Sequence, residues 1–195
     1  MIVTLSGVSA SGKTTIEKGL RLHFNNLKPV ISYTTRPPSK SDLSGNYVHL
    51  SREEFKRMKD VGVFIWDVYI FGNQYGTTHK SLRDTLAEPD SIFFMVIEPE
   101  SVRKLRLFAR ESGIKVLSFY ILSPAPEVLR KRLSDRGRED AKQIENRIIE
   151  AVQWDKKALC SDIPFLFVGN SQHDPEARAA VSEVSAGIVR HMAAQ

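Results

Sequence analysis

The sequence predicts an α/β fold in which a parallel β-sheet carries helices on both of its faces. Short apolar runs, rich in β-branched and aromatic residues, alternate along the chain with segments whose apolar residues recur at helical spacing. The apolar runs are continuous rather than alternating, which is typical of strands buried on both faces. Strands that alternate with helices form a parallel sheet covered on both sides.

The individual elements follow from these patterns. A first strand at residues 2–6 is followed by a glycine-containing turn and a helix at residues 14–24. Further strands are predicted at residues 30–33, 91–97, 116–122 and 165–168. Further helices are predicted at residues 100–112, 126–134, 142–157 and 175–192.

Two segments interrupt the alternation. Residues 34–80 contain Arg36-Pro37-Pro38, a polar stretch and short aromatic runs, which predict a small lobe of strands and turns. Residues 135–140 combine dense charge with Gly137 and predict a second, smaller insertion. We therefore expect a single domain whose core is residues 1–33 and 81–195, with an inserted lobe at 34–80 and a small lid at 135–147.

Composition limits the class of protein. A chain of 195 residues with 42% hydrophobic content can bury the core of one domain. It contains no apolar run long enough to span a bilayer and no secretory signal at its start, so a cytoplasmic protein is expected. The single cysteine, Cys160, excludes an internal disulfide and fits a reducing compartment. The net charge of +5 is spread along the chain and favours anionic partners of any kind.

A phosphate-binding motif is the strongest chemical signal. Residues 7–14, Gly-Val-Ser-Ala-Ser-Gly-Lys-Thr, match G-x-x-x-x-G-K-[ST] between a predicted strand and a predicted helix. The glycines allow the backbone to wrap a phosphate, and the N-terminus of the helix adds a favourable partial charge. Lys13 is expected to neutralise the β- and γ-phosphates of ATP, and Thr14 to bind Mg²⁺ through its hydroxyl.

This motif predicts the three-layer fold of P-loop NTPases. The expected ATP-binding residues of the loop are Gly7, Ser9, Ala10, Ser11, Gly12, Lys13, Thr14 and Thr15. The loop alone does not separate a kinase from a motor, a switch GTPase or a transport ATPase.

Several further blocks resemble guanylate kinases. They keep the order and approximate spacing of that family from Val3 to Asn170. The blocks are Ser32-Tyr33-Thr34-Thr35-Arg36-Pro37-Pro38, Tyr47 to Phe55, Phe71-Gly72-Asn73-Gln74-Tyr75-Gly76-Thr77, Arg132-Leu133-Ser134-Asp135-Arg136-Gly137 and Asn146-Arg147-Ile148. The resemblance implies a nucleoside monophosphate kinase that transfers the γ-phosphoryl group of ATP to GMP or dGMP.

The resemblance also implies how the acceptor is held. Ser32 and Arg36 match acceptor-binding residues of the family, and a guanidinium offers a planar fork to a phosphate. Tyr47 and Tyr75 match tyrosines that donate to the same phosphate, with ordinary aromatics of the lobe core as the alternative. Thr77 is expected to contact the base. Glu98, in a position where the family commonly has aspartate, is expected to accept from an exocyclic amine or to order water around Mg²⁺, with a solvated acid as the alternative.

The resemblance also implies which basic side chains contact the phosphates of ATP. Arg136 and Arg147 match the arginines that the lid of the family brings onto the ATP phosphates. Arg132 and Arg138 lie nearby in the sequence as substitutes, and Arg132 is equally consistent with a helix-surface arginine. Asn170 matches, in part, a segment that lines the adenine site of the family.

Three departures concern the acceptor. The family has a second phosphate-binding arginine where this chain has Ser39, and an aspartate where it has Asn46 after a shortened loop. The family reads guanine with a glutamate in F-[IL]-E-W, whereas this chain has Phe64-Ile65-Trp66-Asp67. Direct alignment puts Trp66 at the place of the glutamate, and successive strand residues point to opposite faces. Either a local bulge lets Asp67 take over, or recognition of the base is altered.

Other functions compete with a GMP kinase. Ser39 and Trp66-Asp67 leave open a kinase of the same fold that acts on another nucleotide or a phosphorylated sugar. A non-catalytic guanylate-kinase-like interaction module is a further alternative, although such relatives have generally lost the intact phosphate loop. The sequence contains no recognised nucleic-acid-binding motif, so nucleotides rather than nucleic acids are the expected partners.

Overall fold

A computed structural model describes residues 1–39, 42–43, 45–88, 90–170, 174 and 176–194, with the side chain of Leu86 excepted. The strands are β1 (Ile2–Ser6), β2 (Leu27–Pro29), β3 (Ser32–Thr34), β4 (Tyr47–His49), β5 (Phe64–Ile70), β6 (Asn73–Thr78), β7 (Ile92–Val96), β8 (Val116–Ile121) and β9 (Phe165–Val168). The helices are α1 (Lys13–His23), α2 (Arg52–Asp60), α3 (His79–Leu86), α4 (Pro99–Glu111), α5 (Pro126–Arg136), α6 (Ala141–Leu159) and α7 (Arg178–Ala193).

The larger sheet has the strand order β2-β7-β1-β8-β9. Its pairs β2–β7 and β8–β9 are parallel, with Lys28 opposite Phe93 and Phe119 opposite Leu166. All residues of β1 are buried, as are nearly all of β7 and β8. Because successive strand residues point to opposite faces, this burial requires that both faces be covered. The predicted α/β fold with helices flanking a parallel sheet is confirmed.

The chain divides into two compact units, which we describe separately. One consists of Met1–Ile2, Asn26–Met95 and Glu100–Val116, and the other of Val3–Asn25, Val96–Pro99 and Leu117–Gln195. We call them the lobe unit and the loop unit, because the first contains the smaller sheet and the second contains the phosphate-binding motif.

In the loop unit, helices α5 and α6 share a hydrophobic cluster with the motif itself. Leu129 and Leu133 of α5 and Ile144, Ile148 and Ala151 of α6 are buried together with Val8 and Ala10, and Trp154 packs against them. Variable positions of the motif therefore serve as core residues. Elsewhere in this unit α1 packs on α7, where a Cβ atom at Gly19 would lie 2.5 Å from Val181 Cγ2, so only glycine permits this approach.

In the lobe unit, the smaller sheet has the order β4-β3-β6-β5. Strands β3 and β4 are parallel, whereas β6 runs antiparallel to β3 and to β5. Helix α2 begins with a capping box formed by Ser51 and Glu54. It packs on the sheet through Phe55, whose ring stacks on Phe64 with centroids 4.5 Å apart.

Several predicted elements differ from the structure. The lobe at residues 34–80 was predicted to consist of strands and turns, but it also contains helix α2. The predicted strand at 30–33 is wrong: β2 ends at Pro29 in the larger sheet, and β3 begins at Ser32 in the smaller one. Val30 still donates its N–H to Phe94 O of β7 at 2.8 Å, whereas Ile31, between the two strands, is exposed and Ser32 donates to Asn46 O at 3.0 Å. The predicted helix at 175–192 begins at Arg178, and Pro175 lies outside the described residues.

The predicted insertion at 135–140 is shorter in the structure. Helix α5 continues to Arg136 and ends at Gly137, which adopts the left-handed conformation at φ 62°. Helix α6 begins after Asp140, which forms a capping box with Gln143. Only residues 137–140 separate the two helices.

None of the helices in the described part of the chain combines the length and apolar character that a membrane span requires.

Replacing Leu133 tests the shared core of α5, α6 and the motif. Leu133→Ala is expected to lower the free energy of unfolding by about 2–5 kcal/mol, because the site is fully buried and a cavity remains. Urea denaturation measures this change. The control Lys131→Ala, on the exposed face of the same helix, should stay within about 0.5 kcal/mol of the wild type. Equal losses in the two variants would contradict the assignment.

Candidate functional site

The loop between β1 and α1 has two positions that only glycine can occupy. Gly7 has φ 139°, and a Cβ atom there would lie 2.5 Å from the carbonyl oxygen of Ile121. Gly12 has φ 106°, and a Cβ atom there would lie 2.0 Å from Asn170 Nδ2. A side chain at either position would collide and would also strain the backbone.

Asn170 and the apolar side chains of the loop hold it in place. The buried amide of Asn170 donates to the carbonyl oxygen of Ser11 at 2.7 Å. Val8 and Ala10 are buried among residues of α5 and α6. Ala10 also has a positive φ of 62°, which is uncommon for a residue with a side chain. The loop is thus shaped before any ligand arrives.

The ammonium of Lys13 lies inside this loop. It donates to the carbonyl oxygens of Gly7 at 2.8 Å and Val8 at 2.6 Å. Burial, with a smaller contribution from the charge of Arg136, lowers the pKa of Lys13 to about 7. An anion bound in the loop would reverse this effect, since it favours the charged ammonium.

Arginines of α5 reach the same loop. Arg132 donates to the carbonyl oxygens of Ala10 and Asn170, each at 3.3 Å, and Arg136 donates to Ser9 Oγ at 3.3 Å. The pKa of Arg136 is lowered by desolvation and then by Arg138, against the opposing charge of Glu139, with further lowering by Arg132 and Arg147. These cations therefore lie close enough to repel one another, and a polyanion would relieve that repulsion.

Arg147 lies on α6. Its guanidinium is 3.9 Å from a carboxylate oxygen of Glu139, and both side chains are largely buried. Because Arg147 lowers the pKa of Arg136, the two predicted lid arginines are near each other.

A cavity of about 250 Å³ opens beside the loop. Its lining includes Gly12, Thr15, Arg132, Arg136, Asn170 and Asp174. Most of these residues were predicted from the motif or from the resemblance. The cavity lies at the N-terminus of α1, where backbone N–H groups and the helix dipole favour a phosphate.

The residues near the loop fit a Mg²⁺ ion that is coordinated mainly by the phosphates of a bound nucleotide and by water. Thr14 is at the start of α1, directly after Lys13. Among the residues that the structure describes, no group of three or more His, Cys, Asp or Glu side chains is placed to hold a metal ion. Mg²⁺ keeps several waters and binds substrate phosphates rather than a complete protein cage, so one hydroxyl ligand fits it.

Glu98 follows β7 at the end where the motif begins. The preceding residue, Ile97, donates its N–H to Leu5 O at 3.1 Å and accepts from Ser6 Oγ at 2.8 Å. Glu98 is therefore held beside the start of the phosphate-binding loop, and its side chain is partly buried.

In the lobe unit, one face of the smaller sheet collects most of the predicted acceptor residues. Residues that pair across two neighbouring strands point to the same face of the sheet. The register pairs Ser32 with Tyr47 and Trp66 with Thr77. Thr34 pairs with His49 on one side and with Tyr75 on the other. Ser32, Tyr47, Tyr75 and Thr77 therefore lie on a single face, which we call the acceptor face.

Arg36 lies directly after β3 and is held by its backbone and its side chain. Its N–H donates to Thr34 Oγ1 at 3.0 Å, and its Nη2 donates to Asp42 Oδ1 at 2.7 Å. The guanidinium lies over the ring of Tyr47, 5.4 Å from the centroid. The pKa of Arg36 lies above its ordinary value: burial opposes the charge, but Asp42, Tyr75 and Tyr47 outweigh it.

Asp67 is not brought together with the other acceptor residues. It pairs with Gly76, and its carboxylate accepts from Lys59 of α2 at 2.5 Å, so it lies on the face that α2 covers. The register shifts between Phe64 and Trp66, as the hypothesis of a local bulge required. The shift nevertheless leaves Trp66, buried and paired with Thr77, on the acceptor face.

Sequence reasoning missed Asp42, His49 and Asp174. Asp42 lies in a polar segment without a helix or strand pattern, and His49 was counted only as part of a block. The signal that could have identified His49 is its place two positions after Tyr47, which puts both residues on the same face of a strand. No comparable signal marked Asp174.

Comparisons with known proteins show which family the chain resembles. The family model described as guanylate kinase matches residues 1–171. A guanylate kinase of Nitrosomonas europaea is 32% identical over 151 residues, which cover 77% of this chain and 73% of the relative. One of Symbiobacterium thermophilum is 28% identical over 195 residues, which cover 100% of this chain and 90% of the relative.

A solved structure supports the same relationship. The crystal structure of guanylate kinase from Anaplasma phagocytophilum matches with a TM-score of 0.67 and 25% identity, over 98% of this chain and 85% of that one. The phosphate-binding loop, the arginines around it and these similarities lead to one conclusion: the chain belongs to the guanylate kinase family.

Proposed function

We propose that this protein transfers the γ-phosphoryl group of ATP to the phosphate of GMP or dGMP. The observation that carries the proposal is the intact phosphate-binding loop, closed around Lys13 and approached by Arg132 and Arg136. The names of the relatives, all guanylate kinases, support GMP as the acceptor.

In this proposal, catalysis consists of positioning and charge stabilisation. The equatorial oxygens of the transferred group carry spread negative charge in the transition state. Lys13, Arg136 and Arg147 would stabilise that charge more strongly than the charge of the ground state. Thr14 would hold Mg²⁺ through its hydroxyl, and the ion would supply positive charge to the phosphates of ATP. Asn170 and Thr15 would line the nucleoside part of the donor site.

The acceptor phosphate already carries the nucleophilic oxygen, so the mechanism needs no general base. Arg36 would offer its planar fork to that phosphate, with Tyr47 and Tyr75 donating through their hydroxyls. Ser32 and Thr77 would contact the nucleotide from the same face, and Glu98 would accept from the base or order water around the metal. Asp67 has no part in the proposal, because it lies on the face that α2 covers.

The activity test is formation of ADP from Mg-ATP with a panel of nucleoside monophosphates and sugar phosphates. We expect turnover with GMP and dGMP, and a loss of about 10²–10³ in kcat for Lys13→Ala. Lys18→Ala, an exposed neighbour on the same helix, is the matched control and should be unchanged. Absence of acceptor-dependent ADP with every compound would contradict the proposal.

The pKa of Lys13 predicts a pH dependence for binding of ATP. In the free site the ammonium is half deprotonated near pH 7, and bound phosphates favour its charged form. The affinity for ATP should therefore be highest below pH 7. Above pH 7 it should fall by up to about tenfold per pH unit.

Equilibrium binding at saturating Mg²⁺ from pH 6 to 9 measures this dependence. In Lys13→Arg the guanidinium stays charged over this whole pH range. The affinity of this variant for ATP should therefore change with pH only because ATP itself ionises. A wild-type profile that parallels the Lys13→Arg profile would show that Lys13 does not titrate in this range.

Substitution of Asp67 tests whether the register of β5 places this side chain away from the acceptor face. Asp67→Asn should leave the KM for GMP within about twofold, because its carboxylate pairs with Lys59 at 2.5 Å on the other face. Tyr75→Phe should raise that KM by about 10–100-fold, as expected for a lost hydrogen bond to a charged group. Initial rates at saturating Mg-ATP measure both variants. Similar increases in the two would mean that Asp67 does contact the acceptor.

A further inference from the structure

Among the residues that the structure describes, the carboxylate of Asp42 offsets the positive charge of Arg36, which a phosphate dianion would otherwise meet in full. Asp42 Oδ1 accepts from Arg36 at 2.7 Å, and Asp42 Oδ2 accepts from the backbone N–H of Ser39 at 2.9 Å. Arg36 and Asp42 together are neutral. Three residues after Arg36 the chain has Ser39, which adds no charge to the pair.

His49 lies in the same cluster. It is paired with Thr34 on the acceptor face, two residues after Tyr47, with its ring 6.2 Å from that of Tyr47. Its Nδ1 contacts the carbonyl oxygen of Arg36 at 2.7 Å, and its Nε2 lies 3.5 Å from Asp42 Oδ2. Both ring nitrogens therefore face oxygen atoms, and both can donate at once only when the imidazole is doubly protonated.

In the described part of the chain, the titratable and charged groups that face His49 come from each neighbouring element. Arg36 and Asp42 lie in the segment between β3 and β4, Tyr47 is on the same strand, and Tyr75 of β6 pairs with Thr34 on the same face. Asp42 is shared, since one oxygen accepts from Arg36 and the other faces His49. The charges of ionised Arg36 and ionised Asp42 cancel. A proton on His49 therefore gives the three side chains together a net charge of about +1.

We propose that His49 is a positioning residue whose proton prepares Arg36 for the acceptor phosphate. The imidazolium interacts with the carboxylate of Asp42, and this weakens the ion pair between Asp42 and Arg36. The guanidinium of Arg36 is then available to bind the incoming phosphate dianion. Binding of the acceptor is then coupled to uptake of a proton by His49. The inference rests on the proposed function in that it takes Arg36 as the ligand of the acceptor phosphate.

Calorimetric binding of GMP without ATP tests this coupling and leaves Lys13 out of the measurement. At pH 7.5, where a phosphate monoester is dianionic, titrations in buffers of different ionisation enthalpy count the protons taken up. We expect uptake of a fraction of a proton by the wild type, and a dissociation constant that rises roughly tenfold from pH 6.5 to 8.5. A pH-independent dissociation constant with no proton uptake would overturn the proposal.

His49→Asn separates charge from structure. Asparagine keeps an N–H for the carbonyl oxygen of Arg36 but cannot ionise, so its proton uptake should vanish and its affinity should match that of the wild type at high pH. Asp42→Asn should also abolish uptake, because it removes the carboxylate that lies 3.5 Å from His49 Nε2 and pairs with Arg36. The control is His23→Asn, an exposed imidazole whose Nδ1 lies 2.8 Å from the carbonyl oxygen of Gly19. Uptake that persists in His49→Asn would overturn the proposal.

Ribose 5-phosphate distinguishes this inference from the assignment of GMP as substrate, since it shares the phosphate but lacks the base. Proton-linked binding of ribose 5-phosphate that disappears in His49→Asn supports the inference even if GMP is not phosphorylated. Turnover of GMP without any His49-dependent proton uptake leaves the proposed function standing and rejects the role of His49.

Discussion

The site depends on a loop whose backbone passes too close to its neighbours for side chains at two positions. Gly7 lies against Ile121, and Gly12 lies against Asn170. These contacts, with the burial of Val8 and Ala10 among α5 and α6, hold the loop in a conformation that a flexible segment would adopt only at an entropic cost. A loop shaped in advance can bind phosphate without paying that cost again.

The same packing explains why cations meet at the loop. Helix α5 buries Leu129 and Leu133 against Val8 and Ala10, and the rotation of the helix that this requires brings Arg132 and Arg136 to the loop backbone. Desolvation and mutual repulsion disfavour the charge of Arg136 and Lys13. A polyanionic ligand offsets both effects, so part of its binding free energy comes from relief of repulsion in the empty site.

The smaller sheet divides its residues between two faces with different tasks. One face meets α2 through Phe64 and Asp67, and the other collects Ser32, Tyr47 and Tyr75. The irregularity between Phe64 and Trp66 decides the side on which each following residue of β5 lies. Trp66 therefore occupies the acceptor face, and His49 adds an ionisable group to that face.

By itself, the sequence determined the phosphate-binding loop, the parallel sheet and the identity of most cations, because glycine spacing, apolar runs and motif residues act locally. Only the tertiary structure decided that residues 30–33 divide between two sheets, that Asp67 pairs with Lys59, and that Asp42 links Arg36 to His49. The physical reason is that strand register and contacts between distant segments depend on packing, which local patterns do not encode.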